Sequence, residues 1–341
     1  MAFNLPNSLA LPSATEIDGF VRAWQPDENM QIGGKTDLLP MKENLLPTIR
    51  WDEKGAINGM TPPISLDGNV PMLAMRTLTN RVEVPMYFAE QQQLGEEDFL
   101  NIRMAGSLNR LAGQSIVDDG TEQLLVRLFT RIEWSRWQAM RGSLALDENG
   151  VKRTVTYATT SISNPSVLWS VVASADPIGN VQAWALLFRG KGSGPLRVYY
   201  NRKVATYLSQ NASVIDKVKA NGMAAKLGVM SIGEILNTLI GDVEFIQYDE
   251  GYLVSGTFTP YIADNEIILV KAPPGGQQLG AWVTTPTVRN GGIANPRPGR
   301  FGWRKDETQN EEVPRYKYGV GIYGIPVLYF PQNVAKVQIA A

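Results

Sequence analysis

Between Val117 and Arg141 the chain runs 25 residues without a proline and with one glycine, Gly120. Asp118 and Asp119 stand near the start, where the positive end of a helix dipole favours acids, and Gly142 follows the end as a stop. Leu125, Leu128, Phe129 and Ile132 recur at helical spacing. At 1.5 Å per residue this helix spans roughly 35 to 40 Å, which is long for an ordinary globular domain. Whatever the chain folds into is therefore arranged along a rod.

The segments before the rod are of two kinds. Residues 1–48 are rich in proline and polar residues, and their apolar members (Phe3, Leu5, Leu9, Phe20, Val21, Trp24, Leu38, Leu39) keep no sustained period. A short helix is predicted over Ala14 to Ala23, with Ser13 or Thr15 as its cap. The segment reads as an arm that gains its order by lying on something else. From Thr48 to Tyr87, strand-like pieces at 48–51, 73–76 and 81–87 are separated by turn residues such as Asp67-Gly68-Asn69. They predict an extended hairpin, and a two-stranded hairpin is marginal alone, so it should lean on a neighbour. Glu90-Gln91-Gln92-Gln93 then leads into a helical stretch from Glu96 to about Leu111.

After the rod the pattern is mixed. Val151 to Tyr157 alternates as a half-buried strand behind the turn Asp147-Glu148-Asn149-Gly150. Gly190 to Pro195 reads as a flexible link; Gly190-Lys191-Gly192-Ser193-Gly194 lacks the Gly-Lys-Ser/Thr ending of a phosphate-binding loop and reads as a hinge. A strand is predicted at 197–200, helices at 203–219 and 232–239, and strands at 243–248 and 266–270 around an aromatic turn region, Tyr252 to Tyr261. Residues 273–315 form a region rich in glycine, proline and charge, and strands at 325–330 and 335–339 close the chain. The class is α+β, with no repeat at periods of 20 to 50 residues.

Cysteine and histidine are both absent. Their absence removes the thiolate and imidazole ligands of zinc, copper and iron–sulfur sites, and every Ser-His-Asp or Cys-His nucleophile. Oxygen-ligand metal sites, lysine chemistry and paired-carboxylate hydrolysis stay open, the last with Glu96, Asp118, Asp119, Asp242 and Glu244 as candidates. These acids fall largely on the charged helix and in turns, as solvated faces do. A formal net charge of -1 argues against holding nucleic acid through a broad basic face, though not against enclosing it. Without a long apolar run or a signal-like start, a soluble product made in the cytoplasm is expected.

At this point the chain resembles the major capsid proteins of lambda-like tailed double-stranded DNA phages, the capsid protein E family, which share the Hong Kong 97-like (HK97-like) fold. The helix from Glu122-Gln123-Leu124-Leu125 through Arg131-Ile132-Glu133 to Gly150 and the strand Val151–Tyr157 is similar to the family's spine helix and following strand. Gly241 to Tyr252, followed by Pro260-Tyr261-Ile262-Ala263-Asp264-Asn265-Glu266, resembles its strand, tyrosine-bearing turn and second strand, with Ala263 where proline is usual. The loop ending Arg315-Tyr316-Lys317-Tyr318-Gly319 and the close Ile325-Pro326-Val327 through Val337-Gln338-Ile339-Ala340 match in position and pattern.

The resemblance implies an N-terminal arm over residues 1–48, an extended E-loop over 49–90, and a peripheral domain over 91–185 with its spine helix at about 117–141. It further implies an axial domain over 190–315 and C-terminal strands at 316–341 closing the sheet. A chain of this kind assembles with copies of itself, as hexamers and pentamers in a non-covalent shell around double-stranded DNA in the virion, with scaffolding, portal and decoration proteins as partners and no membrane. No catalytic residue, cofactor or metal is expected. Arg127, Arg131 and Trp134, beside Glu133, Arg136 and Trp137, suit a helix face that touches both core and another subunit; a solvated amphipathic helix is the plainer alternative. Arg297, Arg300 and Arg304 are candidates to pair across subunits with acids such as Glu96, Glu97 and Asp98, against the alternative of a mobile solvated loop. Two other readings are an encapsulin-like compartment of the same fold and a carboxylate-based hydrolase.

Overall fold

A computed structural model describes residues 11–26, 38–54, 79–98, 109–227, 229–307 and 315–341. Its axis is the helix α2 (Asn109–Met140), 32 residues and about 48 Å long. It starts earlier than its sequence pattern suggests and carries Gly120 in its interior. Before it comes α1 (Ala14–Ala23), closed by a reciprocal cap: Ser13 Oγ accepts from the Glu16 amide at 3.2 Å, and Glu16 accepts from the Ser13 amide at 2.6 Å.

The strand β14 (Tyr316–Leu328) is the centre of a five-stranded sheet. On one side it pairs antiparallel with β4 (Met86–Leu94), from Tyr316 opposite Leu94 to Gly324 opposite Met86. On the other it pairs with β12 (Gly280–Thr284) and β13 (Phe301–Asp306), and β1 (Met41–Glu43) runs parallel outside β12. The Gln-rich stretch is thus strand, its partner being a longer strand from the far end of the chain. The region 273–315, read as loop, supplies β12 and β13.

Four further strands form a second sheet in the order β15 (Val334–Gln338), β11 (Glu266–Lys271), β7 (Leu196–Tyr200), β8 (Val243–Gln247). Helices α3 (Pro177–Leu187), α4 (Arg202–Gln210), α5 (Ala212–Ala220) and α6 (Ile232–Leu239) pack into its core with Trp169, Tyr200, Phe245 and Val337. Asn211 ends α4 and caps α5, accepting from the Val214 amide at 3.1 Å, which splits the single helix expected over 203–219. Three separate hairpins complete the fold: β2 (Ile49–Glu53) with β3 (Thr79–Glu83), β5 (Ser143–Glu148) with β6 (Val151–Thr156), and β9 (Gly251–Val254) with β10 (Thr257–Pro260).

The buried side chains divide the chain differently from the expected boundaries. Strands β12 and β13, placed by sequence in an axial unit over 190–315, belong to the sheet under α2. The second core starts near Trp169 and takes in α3, which the peripheral span 91–185 had claimed. The terminal span 316–341 serves both sheets. The reason is that apolar strands return to pair wherever an edge is open, so sequence order and core membership part company. Nor is Gly190–Pro195 loose: Lys191 Nζ donates to Thr160 Oγ1 at 2.9 Å, Asn333 Nδ2 to the Lys191 carbonyl at 3.0 Å, and the Ser193 amide to the Ala272 carbonyl at 3.1 Å.

Candidate functional site

The side chains singled out by sequence lie on α2 and between Arg297 and Arg304, with Arg300 and Arg304 against the arm. Within the arm, α1 lies on its own chain, so residues 14–23 depart from the expectation that this segment orders on something else. Ile17 and Val21 are buried in one core with Leu124, Leu128 and Trp282. Arg300 donates to the Trp24 and Arg22 carbonyls at 3.0 and 3.1 Å, filling acceptors that the C-terminal end of α1 leaves open. Burial, with the Arg22 charge beside it, lowers the Arg300 guanidinium from its ordinary value. Arg304 and Tyr316 both donate to the Pro12 carbonyl, at 3.0 and 2.8 Å, and the Gly302 amide donates to Asp18 at 3.1 Å. Arg300 and Arg304 thus spend these bonds within one subunit. Arg297 is exposed and makes no ion pair among the described residues. Residues 1–10 and 27–37 lie outside the described residues.

The hairpin β2–β3 belongs to neither large sheet. Its base is tied internally by Arg81 to Glu53 at 3.1 Å and externally by Arg153 of β6, which pairs with Glu83 at 2.6 Å and donates to the Val84 carbonyl. Val82 and Val84 stay exposed. Residues 55–78, the rest of the predicted E-loop including 73–76, lie outside the described residues, as do 99–108 of the predicted helix over 96–111.

On α2, Arg127, Arg131 and Trp134 follow each other at helical spacing along one outward stripe. Arg127 pairs with Glu90 of β4 at 2.6 Å, and that bond raises its guanidinium from the ordinary value. Arg131 pairs with Glu148 of β5 and lies over the Trp134 ring at 4.7 Å and the Phe88 ring at 5.6 Å. Glu133, Arg136 and Trp137, grouped with them by sequence, turn inward. Glu133 is 0 % exposed, accepts from Tyr248 Oη at 2.9 Å and pairs with Arg136 at 3.0 Å. Burial, followed by the Glu133 charge, raises the Tyr248 phenol above its ordinary value. Trp137 packs on Tyr248 and Tyr199 at 4.7 and 5.5 Å.

Sequence reasoning missed two linkers, Arg153 and Arg141. Arg141, just past α2, binds both carboxylate oxygens of Glu266 on β11, at 2.7 and 3.0 Å, and so fastens the long helix to the second sheet. An arginine at a helix end is ordinary, and nothing in its sequence neighbourhood points to a partner 125 residues away.

The carboxylates considered for hydrolysis do not converge. Asp118 and Asp119 lie in the first half of α2, where burial and the charges of Asp119 and Glu16 raise the Asp118 carboxyl. Glu244 is on β8, paired with Arg197 at 3.0 Å, and Asp242 lies in the turn that precedes that strand. Glu96 follows β4. Among the described residues no group of three or more His, Cys, Asp or Glu is placed to hold a metal ion, and no helix is long and apolar enough to cross a membrane.

The model of the family described as phage major capsid protein E matches residues 35–292. The chain belongs to that family. It is a structural protein of a capsid shell, and its α+β fold is the HK97-like one. A prophage protein of Escherichia coli CFT073 described as a capsid protein shares 15 % identity over 79 % of this chain and 83 % of its own, with a TM-score of 0.53. A phage-related protein of Bordetella bronchiseptica RB50 shares 14 % identity over 95 % of this chain and 96 % of its own, at a TM-score of 0.49. The capsid of the myovirus XM1 shares 10 % over 92 % and 94 %, at 0.48. The comparison with curated proteins returns no match. In this capsid family member, then, the long helix identified by sequence is the element that joins the two sheets.

Proposed function

We propose that this chain assembles as hexamers and pentamers into a closed icosahedral head around double-stranded DNA, without covalent cross-links and with its role structural in place of catalytic. Arm, E-loop, spine helix and axial sheet keep the roles the family implies, with the boundaries that core membership draws. The observation that carries the reading is the hairpin β2–β3. Among the described residues it pairs with no third strand, is anchored at its base by Arg153, and holds Val82 and Val84 exposed, the form of an element that buries its outer surface on a neighbour. Arg127, Arg131, Trp134 and Arg297 are the side chains offered to that neighbour, while Arg300 and Arg304 support the interface from behind by holding α1.

Heterologous contacts repeated between identical subunits close into rings and then a curved lattice. Scaffolding, portal and decoration proteins are the partners such a lattice calls for, and assembly in the host cytoplasm fits the lack of any membrane-spanning helix among the described residues. The test is overexpression followed by sedimentation and negative-stain microscopy, with shells, tubes or capsomers expected. Ultraviolet absorbance of nuclease-treated particles from infected cells separates a DNA head from a compartment for protein cargo. A protein that stays a small monomer under every condition, scaffold included, refutes the reading.

A further inference from the structure

The hairpin β9–β10 also stands outside both large sheets. It turns through Ser255-Gly256, and its register sets Leu253 opposite Phe258 and Tyr252 opposite Thr259. Opposed residues of an antiparallel pair share a face and neighbours along a strand alternate, so this hairpin has two unlike faces. One face carries Tyr252 and Thr259 and borders a groove of about 210 Å³ lined also by Trp134, Gln138, Arg141 and Tyr261. Tyr252 stacks on Tyr261 at 5.7 Å, fixing the hairpin's base. The other face carries Leu253 and Phe258, 71 % and 50 % exposed.

We propose that the Leu253–Phe258 face of one copy seats in the Trp134–Tyr261 groove of a second copy of this chain. The proposal rests on the shell reading and deepens it by naming a contact. Two bulky apolar side chains side by side on a fixed hairpin, each at least half exposed, form a patch suited to a partner. The groove suits them chemically: its charged members are engaged at home, Arg141 with Glu266 at 2.7 Å and Asp264 with Asn201 at 2.6 Å, which leaves the aromatic walls to be covered.

The occupant is a second copy because the shell reading already brings identical subunits side by side. Knob and groove lie on opposite faces of the same hairpin, so the contact is heterologous and passes from copy to copy around a ring. Two side chains entering a groove of this volume fall well short of the roughly 800 Å² per partner that a stable two-body complex buries. Such a contact holds when it is repeated between identical subunits already brought together by others.

The chain contains no cysteine, which makes disulfide trapping clean. Assembled particles of a Leu253→Cys, Gln138→Cys double variant are oxidised and run on a non-reducing gel. Side chain 253 points away from its own groove, and a bond closed within one copy would not change the size of the band, so a linked multimer reports a bond between copies. A ladder of linked multimers is expected from the double variant and from neither single variant. In parallel, Leu253→Asp, at an exposed position, should keep the monomer's circular dichroism and lower particle yield at least tenfold. Particles without a ladder, together with an unchanged yield for Leu253→Asp, overturn the proposal and leave the shell reading intact. A ladder from Leu253→Cys alone marks hairpin-to-hairpin contact and also overturns it. If the unaltered chain never forms particles, the shell reading falls and the proposal with it.

Discussion

Replacing Gly120 by alanine tests how α2 is seated on its sheet. A Cβ at that position would lie 2.0 Å from Tyr318 Oη, 2.4 Å from Gln92 Oε1 and 3.0 Å from Tyr318 Cζ. Tyr318 is buried, its phenol pushed up to about 12 by that burial, so it is a neutral donor at ordinary pH and binds Gln92 at 2.7 Å. The methyl must therefore displace either the helix or a rigid ring. Overpacking of this kind costs about 1 to 3 kcal/mol, and loss of the Tyr318–Gln92 bond adds about 1 kcal/mol. Against these stands the helix propensity of alanine over glycine, which favours the variant by about 1 kcal/mol. The net expectation is a destabilisation of about 1 to 3 kcal/mol.

Tyr318→Phe supplies the control. Alone it should cost about 0.5 to 1.5 kcal/mol for the lost hydrogen bond. In its background the 2.0 Å collision is gone and Gln92, freed of its bond to Tyr318, can swing its flexible end aside, so the second change should cost far less, a coupling of about 1 to 3 kcal/mol in the double-mutant cycle. Urea unfolding of unassembled protein, followed by far-ultraviolet circular dichroism, measures all four corners. If Gly120→Ala is as stable as wild type or more so, or costs the same in both backgrounds, the close approach inferred for helix and sheet is wrong.

Three further outcomes follow from the same structure. Arg136→Met leaves Glu133 buried without its cation and should cost about 3 to 5 kcal/mol by urea unfolding, while Glu133→Gln with Arg136→Met recovers much of that loss; additive single effects would contradict the pairing. Arg153→Ala should change overall stability by under about 1 kcal/mol, since the pair is partly exposed, yet raise amide hydrogen exchange at 49–53 and 79–83; unchanged exchange there would mean the hairpin base is held by something else. Hydrogen bonds from Lys305 and Lys317 hold the Glu307 carboxyl at about 2, below its unfolded value, so its stabilisation is full above that unfolded value and fades as pH falls through about 2. Glu307→Gln should thus be less stable than wild type near neutrality, with the difference closing in acid; a pH-independent difference would refute the assignment.

The elements that the sequence made legible are those whose signals are local. The cap Ser13 and the short helix from Ile232 carry their start and face within a few turns, and the run after Val117 carries its face and its stop but not its start, which lies at Asn109. What stayed hidden depends on partners far away in the chain. Glu90-Gln91-Gln92-Gln93 is strand because residues 317–320 lie beside it, and Pro177–Leu187 shows no amphipathic period because it is apolar both on the face buried in the second core and on its outer face, where Leu186 and Leu187 are exposed. Residues 280–284 and 301–306 sit in a stretch whose glycines and prolines announce turns, yet both pair with β14. The outward stripe Arg127, Arg131, Trp134 was separable from the inward Glu133, Arg136, Trp137 by helical phase alone, had the buried side been known to contain a charge.

The docking of α1 changes where assembly must draw its surface from. If the arm's helix had been left bare in the subunit, Ile17 and Val21 would supply apolar area to a neighbour. They are instead covered by the subunit's own α2 and β13, and Arg300 and Arg304 are used in holding them. The described apolar side chains still exposed fall in small, separate groups, among them Val82 and Val84 at one hairpin, Leu253 and Phe258 on another, Leu45 and Leu46 before β2, and Leu186 and Leu187 at the end of α3. Small projections of this kind give weak contacts one at a time, and weak contacts let a misplaced subunit leave before a lattice closes over it. A rigid two-sheet body fastened by α2 and Arg141, with its exposed apolar side chains scattered in small groups, is therefore suited to a shell that must correct errors while it grows.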